Sequence, residues 1–428
     1  MRKIGLIFPG QGAQHVGMGR SLYEEYETTK MVFSEARQVL GYDLRSICFD
    51  GTLKDLSRLE YALPAIYVVS IAAYQAYKRD IGIHPQFVAG HSLGEISALT
   101  CGGFLSFQDG LRIVMERSRL AMQTARSCKA HMSIIEGLTS SEVSGLCSKA
   151  SESIGGTVEI ACFNTANQVA VSGNRETLHL LENLCSQSGA SVTPIFTGAP
   201  FHSSLMDAAR MEFKELMGTV TINKPRYPVV MNVNALPIID KTQVVDAMTN
   251  QLIRTVQWDG TMQFMSRRVT ELIEIGPSSI LTDLCNQEHM HIRCTAYHRA
   301  EDRKQLKNRL AGTRTTDGAI RETGFTLSIP KGCKAIVAAT RNASIDSRDY
   351  EEGVVKPYRE LESINRKWDA EGLYPDHAAS ESALTLLGRI LAAKRVPRQQ
   401  RVEKIRALLS QTGVQHIFSE YVERIEKE

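Results

Sequence analysis

No two of the nine cysteines stand at C-x-x-C spacing, and the thiols are scattered and odd in number. That argues against a disulfide framework and against a zinc site. Long apolar runs are missing too: none approaches the roughly 20 residues of a membrane span. The stretch Ile4 to Phe8 follows two basic residues, as a signal peptide would, but Pro9-Gly10 ends it far too early. A large excess of one charge is also absent. A net charge of +3 gives no sign of nucleic acid or of a membrane surface as partner. Internal repeats and low-complexity tracts are not found. The expectation is a globular protein of the reducing cytoplasm, with no metal.

The chain itself is ordinary in bulk, with 43% hydrophobic and 23% charged residues over 428 positions, enough for two or three domains. Its charge is unevenly spread. Residues 301 to 428 carry 23 Lys+Arg and 19 Asp+Glu, whereas the first 300 residues hold 27 and 28. A boundary is therefore expected near Glu301. Before it, the apolar runs Ile4 to Phe8, Phe87 to Ala89, Val229 to Val233 and Leu272 to Ile275 read as buried strands. Pro64 to Lys78 and Phe107 to Thr124 read as helices between them, which predicts an α/β protein with a parallel sheet. Residues 128–197 follow a different order: strand, helix, strand pair, helix, strand. That order predicts a small ferredoxin-like α+β subdomain inserted between 1–127 and 198–300 of the larger one, with 301–428 as a partly helical extension.

Chemistry is concentrated at a few positions. In "VAGHSLGE" an apolar run stops at Gly90, and Ser92 lies between Gly90 and Gly94 ahead of a helical pattern. This is the form of a nucleophile on a sharp strand-to-helix turn, although G-x-S-x-G also arises by chance. After the first strand comes "FPGQGAQ", where His15 occupies the place of a third glycine, so a dinucleotide fingerprint is rejected. Its glycine pair either exposes backbone N–H groups to an anion or is a plain turn. Arg117 has Ile113, Val114, Leu120 and Ala121 as its helical neighbours, which places it on a buried stripe. Buried arginines need a partner. No acid is three or four residues away, so the partner is a distant carboxylate of the fold or a ligand. His202, in "GAPFHSSLM", falls at a domain junction where clefts form and could serve a serine as base. His91 is adjacent to Ser92, so the two side chains should point apart.

Taken together, these residues closely resemble the malonyl-CoA:acyl carrier protein transacylases, a family that includes the acyltransferase domains of fatty acid and polyketide synthases. The resemblance covers Met1 to about His298. It rests on "FPGQGAQ", "GHSLGE", Arg117 in "MERSRLAMQ", "FHSSLM", "QLIRTVQW" and "EIGPSSIL". It implies Ser92 as nucleophile and His202 as base and then acid. It also implies that the backbone carbonyl of Gln251 orients the histidine, and that the backbone N–H groups of Gln11 and Leu93 form the oxyanion hole. Arg117 would bind the free carboxylate of a malonyl group, and Phe201 before the base would crowd an α-methyl substituent. Malonyl-CoA would be the donor and the phosphopantetheine thiol of an acyl carrier protein the acceptor, with no bound cofactor.

The 128-residue extension suggests a free-standing enzyme serving a polyketide or hybrid assembly line in trans, the alternative being housekeeping fatty acid synthesis. A thioester hydrolase shares G-x-S-x-G, but "GQGAQ" and Arg117 speak against it. A non-catalytic carrier-binding module is opposed by the intact Ser92, His202 and Arg117. In the extension, Ser380 to Ala393 is expected to be a helix capped by Ser380, with a stripe at Leu384, Leu387, Ile390 and Leu391. The basic run Lys394, Arg395, Arg398, Arg401, Lys404 and Arg406 follows it. Either the stripe packs on the transferase domain with the charges solvated, or the face steers an acidic carrier protein.

Overall fold

The computed structural model describes residues 3–195, 199–288, 292–311, 329–340, 350–371, 377–412 and 418–427. The chain divides into two compact units, one made of residues 1–223, 229–235 and 242–324, the other of 224–228, 236–241 and 325–428.

The centre of the first unit is a parallel sheet. Its strands lie side by side in the order Arg293–Ala296, Glu271–Glu274, Ile4–Phe8, Phe87–Gly90 and Val229–Val230. Ile4, Leu6, Ile7 and Phe8 are at most 1% exposed. Strands of a parallel sheet are buried on both faces, so they read as unbroken apolar runs rather than as alternating ones. One covering helix, Leu59–Asp80, begins five residues before the expected start at Pro64. Proline inside a helix leaves the carbonyl four residues back without its N–H partner. Here the hydroxyl of Tyr42 donates to that carbonyl, Glu60 O, at 3.4 Å. Phe107–Cys128 starts where expected, because Ser106 accepts the N–H of Asp109 at 3.0 Å and so caps the first turn.

The inserted part has the anticipated element order. Strands Ser191–Ile195, Ala130–Glu136, Gln168–Asn174 and Val158–Thr165 pair antiparallel in that spatial order. Helices Ser140–Ile154 and Arg175–Gln187 bury Val143, Leu178 and Leu181 against this sheet. Phe196 and Thr197, expected to end the last strand, and the boundary at 197 lie outside the described residues. A fifth strand, Val256–Gln257, runs parallel to Val158–Thr165 and comes from the "QLIRTVQW" segment. The sequence reading did not foresee it.

The boundary expected near Glu301 falls differently. Helix Ala300–Ala311 belongs to the first unit, with Leu306 and Leu310 buried. Arg303 and Arg309 pair there with Glu25 at 2.7 Å and Glu271 at 2.5 Å. Its high charge density therefore serves ion pairs with the first unit and marks no border.

The second unit is helical, with Ile329–Ala339, Lys356–Glu371, His377–Ala393, Arg398–Thr412 and Ser419–Lys427. Leu384, Leu387, Ile390 and Leu391 are fully buried in its own core beside Cys333, Leu361 and Leu408. The stripe thus packs within its own unit. Ser380 is not a cap: the helix starts at His377, and Ser380 is buried in its interior. Lys394 leaves the basic run as well, since its ammonium donates to Val337 O at 2.6 Å and Thr340 O at 2.7 Å, closing the end of helix Ile329–Ala339.

Candidate active site

All the residues of the site belong to the first unit. The strand Phe87–Gly90 and the helix Gly94–Cys101 meet at Ser92, whose φ of 51° is left-handed. A side chain at Gly90 would bring its Cβ to 1.9 Å from the carbonyl carbon of Gly94. One at Gly94 would lie 2.0 Å from Phe8 O. Both glycines are thus demanded by the close crossing of strand, helix and first loop, and the turn lifts the Ser92 hydroxyl away from the sheet.

The hydroxyl meets two partners. Ser92 Oγ is 2.6 Å from His202 Nε2 and accepts from Arg117 Nη2 at 2.9 Å. On its other side the histidine's Nδ1 lies 2.7 Å from the carbonyl oxygen of Gln251, an acceptor that fixes the proton on Nδ1 and leaves Nε2 unprotonated toward Ser92 Oγ. His202 is buried at a φ of 61°. Burial, and after it the Arg117 charge, pushes its imidazole down to about 3 from the ordinary 6.5, so it is neutral at physiological pH.

Arg117 is 1% exposed among Ile113, Val114, Leu120 and Ala121. Among the described residues it makes no ion pair, the Glu95 carboxyl acts on it only through space, and its buried Nε finds no acceptor. Its guanidinium carbon stands 4.1 Å from the centre of the Phe201 ring. Burial lowers it to about 10, still charged at neutral pH. A guanidinium this buried and this sparsely bonded is short of an anion.

The "FPGQGAQ" loop lies against the elbow: a Cβ at Gly10 would sit 2.5 Å from His91 O. The backbone N–H groups of Gln11 and of Leu93 donate to no acceptor among the described residues. Leu93 immediately precedes a helix, where unpaired N–H groups and the dipole favour negative charge. The "EIGPSSIL" segment buttresses this loop. Gly276 is packed so closely on Pro9 that a Cβ would come within 2.5 Å of its ring, and His15 Nε2 is 2.9 Å from Pro277 O.

His91 points away from Ser92, as expected, to Asn164 Oδ1 at 2.9 Å. Three buried polar residues escaped the sequence reading. Asn232 accepts the Ser92 N–H at 2.8 Å and donates to Gly90 O at 2.7 Å. Glu95 accepts from Asn232 N and from Gln251 Nε2, both at 2.6 Å, and burial pushes its carboxyl up to about 8. Glu274 accepts the N–H groups of Leu281 and Thr282 and so caps the helix Ile280–Gln287. The signal for Asn232 was a single amide inside the apolar run "VVMNV". An acid in a first helical turn, such as Glu95, reads as an ordinary solvated dipole partner.

Comparison with known proteins finds relatives of this chain. The family described as acyl transferase domain matches residues 6–311. A malonyl CoA-acyl carrier protein transacylase of Bacillus subtilis is 34% identical over 293 residues, 68% of this chain and 73% of that protein. A protein of the same name from Escherichia coli (strain K12) is 32% identical over 286 residues, 66% of this chain and 92% of its own. Among solved structures, FabD from Acinetobacter baumannii superposes with a TM-score of 0.70 at 31% identity, covering 73% of this chain and 99% of that one. A malonyl-transacylase solved in complex with its type II polyketide synthase acyl carrier protein gives 0.69 at 28% identity, covering 72% and 99%.

Proposed function

The chain belongs to the acyl transferase family, and from that premise we propose that it moves a malonyl group from malonyl-CoA to the phosphopantetheine thiol of an acyl carrier protein. In this reading Ser92 Oγ attacks the thioester carbonyl while His202 Nε2 takes its proton. The oxyanion forms beside the Gln11 and Leu93 N–H groups, each such donor contributing about 10²–10³ in rate. Collapse expels CoA, whose sulfur is protonated from His202, and leaves malonyl as an ester on Ser92. The carrier's thiol then gives its proton to His202 and attacks the ester, and the histidine returns the proton to Ser92. The Gln251 carbonyl keeps the ring in the working tautomer throughout. No cofactor enters any step.

The observation that carries the substrate choice is Arg117, buried beside Ser92 Oγ with no ion-pair partner among the described residues and Glu95 acting on it only through space. The free carboxylate of a malonyl ester supplies that anion in bidentate form. Phe201 is stacked on the same guanidinium, and in this reading it would crowd an α-substituent. The test is to acylate the Arg117→Ala enzyme with malonyl-CoA and with acetyl-CoA. Malonyl transfer should lose about 2–5 kcal/mol of transition-state stabilisation, as for one partner of a buried charge pair. Acetyl transfer should fall far less or rise. Equal losses for both donors would make Arg117 structural.

Supply of a polyketide or hybrid assembly line in trans is the pathway we favour, because a further helical unit follows the matched segment 6–311. Housekeeping fatty acid synthesis is the second reading, favoured by relatives named simply malonyl CoA-acyl carrier protein transacylase. A cytoplasmic setting agrees with nine free cysteines.

A further inference from the structure

Behind the Ser92–His202 pair lies a second layer of hydrogen bonds that converges on one carboxyl. Glu95 is in the first turn of helix Gly94–Cys101 and is completely buried. Its Oε1 accepts the backbone N–H of Asn232 and its Oε2 accepts from the side-chain amide of Gln251, both at 2.6 Å. Each partner holds one half of the reacting pair. Asn232 brackets the nucleophile, accepting from Ser92 N and donating to Gly90 O. Gln251 presents its main-chain carbonyl to His202 Nδ1, and its side chain also donates to Ser92 O at 2.9 Å.

Ser92 and His202 both have positive φ, at 51° and 61°. A non-glycine residue leaves that region unless its surroundings hold it there. We propose that Glu95 is a positioning residue for acyl transfer, clamping the elbow of Ser92 to the carbonyl that orients His202 by acting through Asn232 and Gln251. A first-turn acid that merely complements the helix dipole would stay solvated. The carboxyl of Glu95 is instead turned inward, onto the buried N–H of Asn232 and the buried side-chain amide of Gln251. It thus stands one step behind the place that the carboxylate of a serine triad takes next to its histidine. The proposal rests on Ser92 and His202 being the reacting pair and not on the identity of the acyl group.

The test uses the full-length protein and a fluorophosphonate probe, which reacts with an activated serine in the absence of malonyl-CoA or carrier protein. Glu95→Gln keeps the volume but sets an amide N–H against one of the two donors. Gln251→Met removes the side-chain amide from the other side of the joint while its backbone carbonyl remains. Each variant should melt within a few degrees of wild type and label Ser92 about 100-fold more slowly, as misplaced reacting groups do. The double variant should be no slower than the slower single one, since both cut the same connection. Acylation by malonyl-CoA and by acetyl-CoA should fall by one common factor.

Labelling at the wild-type rate in either single variant would overturn the proposal, as would losses that multiply in the double variant. If Glu95→Gln does not fold, Gln251→Met alone decides by the same criterion. Rapid labelling of the wild type without a malonyl adduct would count against the substrate reading and leave the role of Glu95 standing.

Discussion

His202, the base in the proposed mechanism, is kept neutral by its surroundings, since burial and the neighbouring Arg117 both disfavour the imidazolium. A lowered pKa extends the working, unprotonated form toward acid, so the sign of the effect is retained activity as pH falls through 6.5. Fluorophosphonate labelling of Ser92 should therefore stay level between about pH 8 and about pH 5, where an ordinary histidine would protonate. A half-loss near 6.5 would show that the histidine is solvated and unperturbed. A malonyl carboxylate bound to Arg117, as proposed, would relieve the second-largest cause of that lowering. The histidine would then be the stronger base while the substrate is bound. Phe201 offers a second prediction at this scale. Phe201→Ser opens space for an α-methyl group, a discrimination worth about 1–3 kcal/mol in a pocket. The ratio of methylmalonyl to malonyl transfer should rise about tenfold or more. An unchanged ratio would remove Phe201 from the selectivity account.

Among the elements, the strand–turn–helix around Ser92 tolerates least change. Gly94→Ala would drive a Cβ onto Phe8 O, a backbone atom of the central strand that cannot step aside. The expected result is a loss of about 1–3 kcal/mol from overpacking, seen as a lower melting temperature, together with slow labelling of Ser92. Wild-type melting and labelling would mean the crossing is looser than it looks. This element was legible in the sequence because its chemistry is local: two glycines, one serine and an apolar run. Arg117 was legible for the same reason, as a charge on an apolar helical stripe. Asn232, Glu95 and Gln251 meet across 95 to 251 in the chain, and no local pattern announces such a meeting. Two helix starts were hidden for a different reason. The turn before Pro64 depends on a hydroxyl from Tyr42, and Ser380 lost its expected capping role to a helix that begins at His377.

The molecule as a whole keeps its chemistry in the first unit, while the second has an apolar core of its own built on Leu384, Leu387 and Ile390. Charge density along the sequence located that second unit only roughly, because helix Ala300–Ala311 spends its charges on ion pairs with Glu25 and Glu271. Leu387→Ala should cost the helical core about 2–5 kcal/mol. Hydrogen exchange should then speed up in helices His377–Ala393 and Ile329–Ala339 while Ser92 labels at the wild-type rate. Slower labelling would show that the site depends on the second core. The central claim, a malonyl ester on Ser92 that a carrier protein collects, is tested most directly by intact-protein mass spectrometry. The protein is incubated with malonyl-CoA, then mixed with a phosphopantetheine-bearing carrier protein. One malonyl adduct should appear on the wild type, none on Ser92→Ala, and the adduct's mass should pass to the carrier. An adduct that persists on Ser92→Ala, or one that water removes as fast as the carrier does, would contradict the account.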